Sequence, residues 1–233
     1  ETFLMPVKWE EDGWPIAGNN GTIEAEMQGP LPTEPLYKEK VSFVDNFTGD
    51  QLGYRWNFVR NPNRDRYSLQ GGKLFLSGGK EELSDFTPTF TGVRQQAFCQ
   101  HTETEFDLLE VKEGGKVGIT AFYNLAYYYS LSLAQRDGKT VLLLESCIHG
   151  IHTVLAQVPY VGQSARLAVR SDMVVYDFMY WHDGKWESVG KLPTVGLCTE
   201  GTMMMTFTGT YMGVFAVEAK AAFDRFAVEK LPE

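Results

Sequence analysis

Hydrophobic and polar side chains alternate with a period of two along most of the chain after residue 41. Between Tyr127 and Ala134 every second position is a large apolar residue, and Val174, Tyr176, Phe178 and Tyr180 repeat the pattern. Successive side chains of a β-strand point to opposite faces, so this period indicates strands rather than amphipathic helices. Further strands are predicted at 73–77, 96–108, 117–123, 141–147, 165–170, 203–208 and 223–229.

Turn residues separate these predicted strands. Asp137-Gly138 and Asp183-Gly184 supply the positive φ angles that tight hairpins need. We find no amphipathic helix of ordinary length, and parallel strands would need such crossovers. The pattern predicts an all-β fold, an antiparallel two-sheet β-sandwich of the jelly-roll kind, over residues 41–233.

Residues 1–40 have a different character. Frequent prolines and glycines interrupt regular structure there, namely Pro6, Pro15, Pro30, Pro32, Pro35, Gly13, Gly18, Gly21 and Gly29. Residues 3–9 read as a strand, and a second short edge strand follows the turn that ends at Trp14. We therefore predict an extended tail and linker that forms the end of another domain.

Charge and composition exclude several classes of partner. The formal net charge of -9 and the absence of a basic stripe argue against nucleic acid. No apolar run approaches the roughly 20 residues that span a membrane. Residues 1–4 lack the features of a signal peptide, so we expect a chain cut from a longer protein. The three cysteines have no CxxC spacing and are expected to be buried free thiols.

The string Glu105-Phe106-Asp107-Leu108-Leu109-Glu110 has the E-x-D-x-x-E arrangement of laminarinase-like and lichenase-like enzymes. A bulge could bring Glu110 to the face of Glu105 and Asp107. The nucleophile, the helper and the acid/base carboxylate would then lie about 5 Å apart, a separation that suits retaining hydrolysis. The flanking residues differ from that group. The plainer interpretation is a strand with Glu103, Glu105 and Asp107 outward and its apolar residues inward.

Two other features allow a binding and a structural interpretation. The tyrosines at 127–129 could line a sugar-binding platform, although core packing is the simpler expectation. The segment 56–67 runs from apolar residues into a loop rich in hydrogen-bond donors and stiffened by Pro62. It could reach a polar ligand, or Arg60, Arg64 and Arg66 could simply pair with Asp65.

The chain resembles the C-terminal part of glycoside hydrolase family 43 enzymes of the β-xylosidase and α-arabinofuranosidase type. The string ETFLMPVKW with Gly13-Trp14-Pro15 is similar to the close of that family's five-bladed propeller. Further matching residues are similar to its appended concanavalin-A-like domain: Val44-Asp45-Asn46-Phe47, Arg60-Asn61-Pro62, Gly92 to Gln96, Phe207-Thr208-Gly209 and Ala222 to Phe226.

The resemblance implies a division into 1–40, the remnant of the last propeller blade and a linker, and 41–233, the sandwich. It places the catalytic carboxylates in the missing N-terminal propeller, so none maps onto this chain. It also implies that the sandwich sends a loop toward the substrate pocket. Arg60, Asn61, Asn63 and Arg64 match this loop.

In the xylosidase members an aromatic side chain stands near the tip of this loop, where this chain has Asn61-Pro62-Asn63-Arg64. A polar tip favours hydrogen bonds to sugar hydroxyls, so arabinoside specificity is an expectation beside xyloside specificity. A structural Ca²⁺ near Asp45 and Asp224 is a weak expectation, and no other cofactor is expected.

We therefore expect an accessory domain of a plant-polysaccharide glycosidase, inactive alone, that meets xylo- or arabino-oligosaccharides through its parent enzyme. The alternatives are a free-standing carbohydrate-binding module and a self-sufficient glucanase that uses Glu105, Asp107 and Glu110. A homo-oligomer is possible under each of these hypotheses.

Overall fold

A computed structural model describes residues 5–29, 40–202 and 207–232. The chain divides into two compact units, Glu1–Lys40 and Val41–Glu233. In the first unit, a short antiparallel hairpin pairs Val7–Trp9 with Pro15–Ala17. The strand expected at 3–9 thus begins at Val7, and residues 3 and 4 lie outside the described part of the chain.

The described residues are mostly strand. Beside the strands there are two 3-10 turns, Arg64–Arg66 and Thr194–Leu197, and one four-residue helix, Thr199–Thr202. No helix in the described ranges is long and apolar enough to cross a membrane. The strands in chain order are β1 Val7–Trp9, β2 Pro15–Ala17, β3 Phe43–Asp45, β4 Trp56–Asn57, β5 Tyr67–Gln70, β6 Lys73–Ser77, β7 Thr89–Arg94, β8 Gln100–Asn124, β9 Tyr127–Arg136, β10 Lys139–Ile148, β11 Ile151–Pro159, β12 Ser164–Ser171, β13 Val175–His182, β14 Lys185–Pro193 and β15 Tyr211–Lys230.

The second unit is an antiparallel two-sheet sandwich, which confirms the predicted fold class. The first sheet has the order β4, β7, the first half of β15, the second half of β8, then β9, β10 and β11. The second sheet contains the second half of β15 and the first half of β8, followed by β12, β13 and β14. On its other side β15 pairs with β3 and β6, and β5 extends β6.

Strands β8 and β15 run through both sheets, which the sequence prediction missed. Segments 96–108 and 117–123 were expected to be separate strands, and 223–229 a short one. The prediction was wrong because Gly114 and Gly115 resemble a strand break. In the structure the strand continues through them, and the pairing changes register at three places, such as between Val217 and Ala219. At this shift residues 112–115 of β8 lie opposite Glu218 alone, whereas each of the other two shifts adds one residue, Leu109 in β8 and Asp224 in β15. Such irregularities bend the strands from one sheet into the other.

The core lies between the inner faces of the two sheets. Phe106 and Leu108 point inward from β8 and are buried, as predicted. Tyr127 and Tyr129 enter the same core, whereas Tyr128 packs in a second cluster on the outer face of the first sheet. The expectation that these three rings serve mainly in packing is confirmed.

The segment between β6 and β7 covers the outer face of the first sheet. Leu83 packs there against Phe90 and Phe215. Lys116 is buried on the same strand as Phe122. Its ammonium lies 3.0 Å from the Glu82 carboxylate and 2.9 Å from the Glu145 carboxylate. A buried cation needs such partners, because removing it from water is otherwise costly.

Both expected hairpins are present at tight two-residue turns. Asp137 and Gly138 have φ angles of 51° and 70°, and Asp183 and Gly184 have 48° and 78°.

The cysteines are free thiols as expected, but only Cys147 is buried. Cys99 and Cys198 are partly exposed, because they lie in connections at the end of the sandwich rather than in a strand interior.

Gly118 provides a test of how closely the central strands approach. A Cβ atom at this position would collide with the backbone carbonyl of Leu131 in the neighbouring strand, which cannot move without breaking the sheet. We expect Gly118→Ala to lower the free energy of unfolding by about 1–3 kcal/mol, the usual cost of overpacking, as measured by urea denaturation. Gly53→Ala is the matched control, since nothing lies within 4 Å of its position. Equal stability of the two variants would contradict this packing.

Candidate functional site

The loop that joins β4 to β5 contains all four residues expected at a substrate pocket. Its first end is fixed by Trp56, which is buried and whose Nε1 donates to Asp45 over 2.8 Å. The Trp56 ring packs against Phe47 and Phe226, with ring centroids 5.7 Å and 4.9 Å away. The apolar start of this segment therefore serves as an anchor in the core.

The other end of the loop is fixed by Tyr67. Its hydroxyl accepts a hydrogen bond from the Phe90 amide (2.9 Å) and donates to the Phe90 carbonyl (3.0 Å) in β7. Burial raises the pKa of this phenol, whereas the hydrogen bond with Phe90 and the nearby arginines lower it. The effect of burial is the larger, and the pKa is raised to about 12. Tyr67 thus stays neutral and ties the loop to the first sheet.

Between these anchors the tip of the loop has a defined backbone. Arg60 has a positive φ of 51°, which is uncommon for a residue with a side chain. Asn63 caps the 3-10 turn at Arg64–Arg66, since its side chain accepts from the Asp65 amide over 3.2 Å. Asn61 is exposed beside them. The four predicted residues are therefore brought together on one short, exposed and locally structured segment.

The arginines of the loop have different surroundings. The guanidinium carbons of Arg60 and Arg64 lie 4.5 Å from the ring centroids of Phe86 and Phe58, respectively. Arg66 turns inward and pairs with Glu81 over 2.6 Å. Among the described residues no ion pair involves Asp65, so the alternative of mutual pairing around Asp65 is wrong. Stacking on an aromatic ring orients a guanidinium and leaves its in-plane N–H donors available.

A cavity of about 270 Å³ lies next to Arg60. Phe90 and Phe122, with ring centroids 4.8 Å apart, contribute apolar walls, and Asn57 and Asn124 contribute amides. Apolar walls with a few polar groups are typical of small-ligand sites. Sequence reasoning missed these wall residues because they come from three strands that are far apart in the chain.

A pair of glycines makes room for one of these walls. Side chains at Gly92 and Gly213 would meet the Phe90 ring, at 2.8 Å and 2.5 Å from their Cβ positions. The two positions are also direct partners in β7 and β15. Paired glycines in a strand region were the signal that could have identified this surface.

The three carboxylates of the E-x-D-x-x-E string lie on the outer face of the second sheet. A register shift next to Leu109 turns Glu110 to the same side as Glu105 and Asp107, as the bulge hypothesis required. However, Asp107 pairs with Lys73 (3.1 Å) and Glu110 with Lys220 (2.9 Å). The hydrogen bond from Ser164 and the pairing with Lys73 lower the pKa of Asp107. Ion pairs across the sheet thus engage two of the three groups.

The two aspartates considered for calcium are both engaged in contacts within the protein. Asp45 accepts from the Phe47 amide and from the Trp56 indole, both over 2.8 Å, so each of its oxygens is engaged. Asp224 pairs with Lys73 over 2.8 Å. Across residues 5–29, 40–202 and 207–232, no group of three His, Cys, Asp or Glu residues could hold a metal ion.

These features define the protein as a concanavalin-A-like β-sandwich with a structured loop beside a small cavity on one sheet. Residues 44–229 match the β-xylosidase C-terminal concanavalin A-like domain of glycoside hydrolase family 43, and the chain belongs to that family.

Named relatives are longer enzymes. The chain is 27% identical over 222 residues to the non-reducing end α-L-arabinofuranosidase BoGH43B of Bacteroides ovatus, covering 93% of this chain and 41% of the relative. A solved structure described as Bacteroides ovatus xyloglucan PUL GH43B is 26% identical with a TM-score of 0.77, covering 98% of this chain and 47% of that one. The GH43 protein BlXynB of Bacillus licheniformis is also 26% identical, with a TM-score of 0.80, and the match covers 97% and 46% of the two chains. The chain therefore spans less than half the length of these relatives.

Replacing Asp45 separates its structural role from metal binding. Without this carboxylate, the Trp56 indole and the Phe47 amide lose their acceptor. We expect Asp45→Ala to lower the free energy of unfolding by about 1–3 kcal/mol. The loss should be the same in calcium and in chelator, measured by urea denaturation, with the exposed Asp50→Ala as control. A loss seen only with calcium present would instead identify Asp45 as a metal ligand.

Proposed function

We propose that this chain is an accessory domain of a longer glycosidase of the β-xylosidase or α-L-arabinofuranosidase type. The observation that carries the proposal is the match of residues 44–229 to a C-terminal domain family, in relatives more than twice as long as the chain. The hairpin in residues 1–40 corresponds, in this proposal, to the end of the propeller that carries the catalytic carboxylates.

The loop at Arg60, Asn61, Asn63 and Arg64 is proposed to border the substrate pocket of the parent enzyme. Its anchors at Trp56 and Tyr67 hold the backbone in place, which supports a positioning role. Arginine and asparagine donors suit hydroxyl groups of a sugar better than they suit stacking on its ring. The loop would therefore restrict the pocket to short or terminal residues through hydrogen bonds.

A narrower proposal concerns the sugar that the longer enzyme prefers, and it rests on the same loop residues. A loop tip of Asn61, Asn63 and Arg64 provides no aromatic platform, although Arg64 stacks on Phe58 behind it. An arabinofuranosyl unit presents exocyclic and ring hydroxyls in several directions, and the amide N–H groups of Asn61 and Asn63 with the in-plane donors of Arg64 can meet them. We therefore propose that the longer parent enzyme prefers an arabinoside to a xyloside as its substrate.

The chain alone should not hydrolyse glycosides. Because the proposal assigns the catalytic carboxylates to an upstream domain, we expect no turnover of aryl β-xylosides, aryl α-L-arabinofuranosides or β-glucans by residues 1–233. The measurement is a chromogenic and reducing-sugar assay of the purified chain. Hydrolysis of β-glucan that Glu105→Gln abolishes would support the glucanase alternative and refute this assignment.

In the longer enzyme, the loop arginines should affect substrate use. We expect Arg60→Ala and Arg64→Ala to lower kcat/KM for arabino-oligosaccharides about 5- to 30-fold, the loss of one or two hydrogen bonds of about 1–2 kcal/mol. The melting temperature should change little, since both side chains are exposed. Arg170→Ala, an exposed arginine in β12 of the second sheet, is the matched control. Unchanged kcat/KM in both loop variants would remove the loop from the substrate site.

A further inference from the structure

A second cavity, of about 540 Å³, lies on the outer face of the second sheet. Four strands bring Val44, Ala227, Glu103 and Ala168 side by side there, in β3, β15, β8 and β12. Val44, Ala227 and Trp186 all line this cavity, and Ala227 is itself buried in its wall. None of the loop residues Arg60, Asn61, Asn63 or Arg64 lines this cavity.

A buried carboxylate lies in this cavity. The Glu103 side chain is 8% exposed and accepts from Arg166 (2.7 Å), from Arg225 and from His101 Nε2 (3.4 Å). Burial alone raises the pKa of this carboxyl. The hydrogen bonds from His101 and Arg166, together with the charges of the two arginines, outweigh burial and lower the pKa to about 2. A carboxylate offers about four lone-pair positions, so these three donors leave room for another.

The guanidinium of Arg166 has donor capacity left over. Its carbon lies 4.8 Å from the Trp181 ring and 5.0 Å from the Trp186 ring, so it is held in one orientation. One of its N–H groups donates to Glu103, while its Nε is buried and has no acceptor among the described residues. Because the Nε is buried, a ligand in the cavity would meet the other terminal N–H groups of this partly exposed guanidinium.

The charges that line the cavity cancel. Arg166 and Arg225 are balanced by Glu103 and Glu229. A charged ligand would therefore meet no compensating excess of the opposite charge, whereas hydroxyl groups could both donate to the glutamates and accept from the arginines. The surface favours an uncharged ligand with several hydroxyls.

An aromatic wall completes the cavity. Trp186 is half-buried, and the His101 ring meets it edge to face at 5.1 Å. The C–H faces of a sugar ring are apolar and pack well on an indole, while its hydroxyls lie around the rim where the charged groups are. Arg166, His101 and Trp181 already contact the Trp186 ring, so the part of the indole that they leave uncovered is the wall a sugar would meet.

We propose that this cavity is a binding site for one or two units of a neutral saccharide, with Trp186 as the apolar wall and Glu103, Arg166 and Arg225 as hydroxyl partners. The site belongs wholly to this chain. It is separate from the loop at residues 60–64 and does not depend on the parent enzyme's activity. Its role would be to hold the longer enzyme on a neutral glycan chain.

Binding of xylohexaose and of arabinohexaose to the chain, measured by isothermal titration and by tryptophan fluorescence, tests the proposal. We expect saturable binding of at least one of them in the micromolar to millimolar range. Trp186→Ala should weaken it by at least about tenfold, the usual effect of losing one aromatic anchor. Ala227→Leu enlarges a wall residue of the cavity without removing any hydrogen-bond partner and should weaken binding similarly. Phe86→Ala, an exposed ring next to the loop, is the matched control and should bind normally.

The outcomes separate this site from the loop site. Binding that survives Trp186→Ala and Ala227→Leu, or that Arg64→Ala abolishes, would overturn the proposal. Tighter binding of trigalacturonate than of the neutral hexasaccharides would refute the neutral class of ligand, and no binding of either hexasaccharide would refute the site. A Trp186→Ala variant that fails to fold leaves Ala227→Leu as the deciding measurement.

Discussion

The pairing of β8 with β15 is the constraint on which the rest of the structure depends. These two long strands lie side by side through both sheets, and every other strand of the sandwich is attached to one of them directly or through one or two intervening strands. Three register shifts interrupt the ladder and bend the pair, so that the same two strands serve two sheets. Because their inner faces enclose one core, a change in this pairing would move both sheets at once.

Both candidate binding surfaces follow from that pair. The cavity near Arg60 uses Phe122 from the second half of β8 and Tyr211 from the start of β15. The cavity near Trp186 uses Glu103 from the first half of β8 and Arg225 from the second half of β15. The two surfaces therefore lie on the outer faces of different sheets, although each is built on the same two strands. This arrangement would let one domain contact a glycan at two separate places.

The alternation of residues was sufficient to predict the sandwich, because each face of each strand is either buried or exposed as a whole. Tyr127, Tyr128 and Tyr129 divide between faces as their positions require. The continuity of β8 was not predictable in this way, since Gly114 and Gly115 are equally compatible with a turn. The hydrogen-bond donors of segment 56–67 marked it as a candidate ligand loop, but its place at a substrate pocket came only from resemblance to a family. Composition alone could not tell that Arg60 and Arg64 stack on Phe86 and Phe58, which lie outside any repeating pattern.

The second cavity was harder to foresee. Glu103, Arg166, Arg225 and Trp186 are far apart in the sequence, and Glu103 alone reads as an ordinary outward residue of an alternating strand. Its burial depends on neighbours in β12 and β15, so it follows from register rather than from local sequence. Cross-strand contacts of this kind are decided by packing of the whole sheet, which a pattern of hydrophobic positions does not determine.

We propose that this domain borders the substrate pocket of a longer glycosidase through the loop between β4 and β5. The most direct measurement is a crystal structure of the longer enzyme with an arabino-oligosaccharide bound. We expect a side-chain donor from Arg60, Asn61, Asn63 or Arg64 to lie within hydrogen-bonding distance of a sugar hydroxyl. A bound sugar whose contacts all come from the other domain, with this loop turned away from it, would rule out a role of the loop at the pocket.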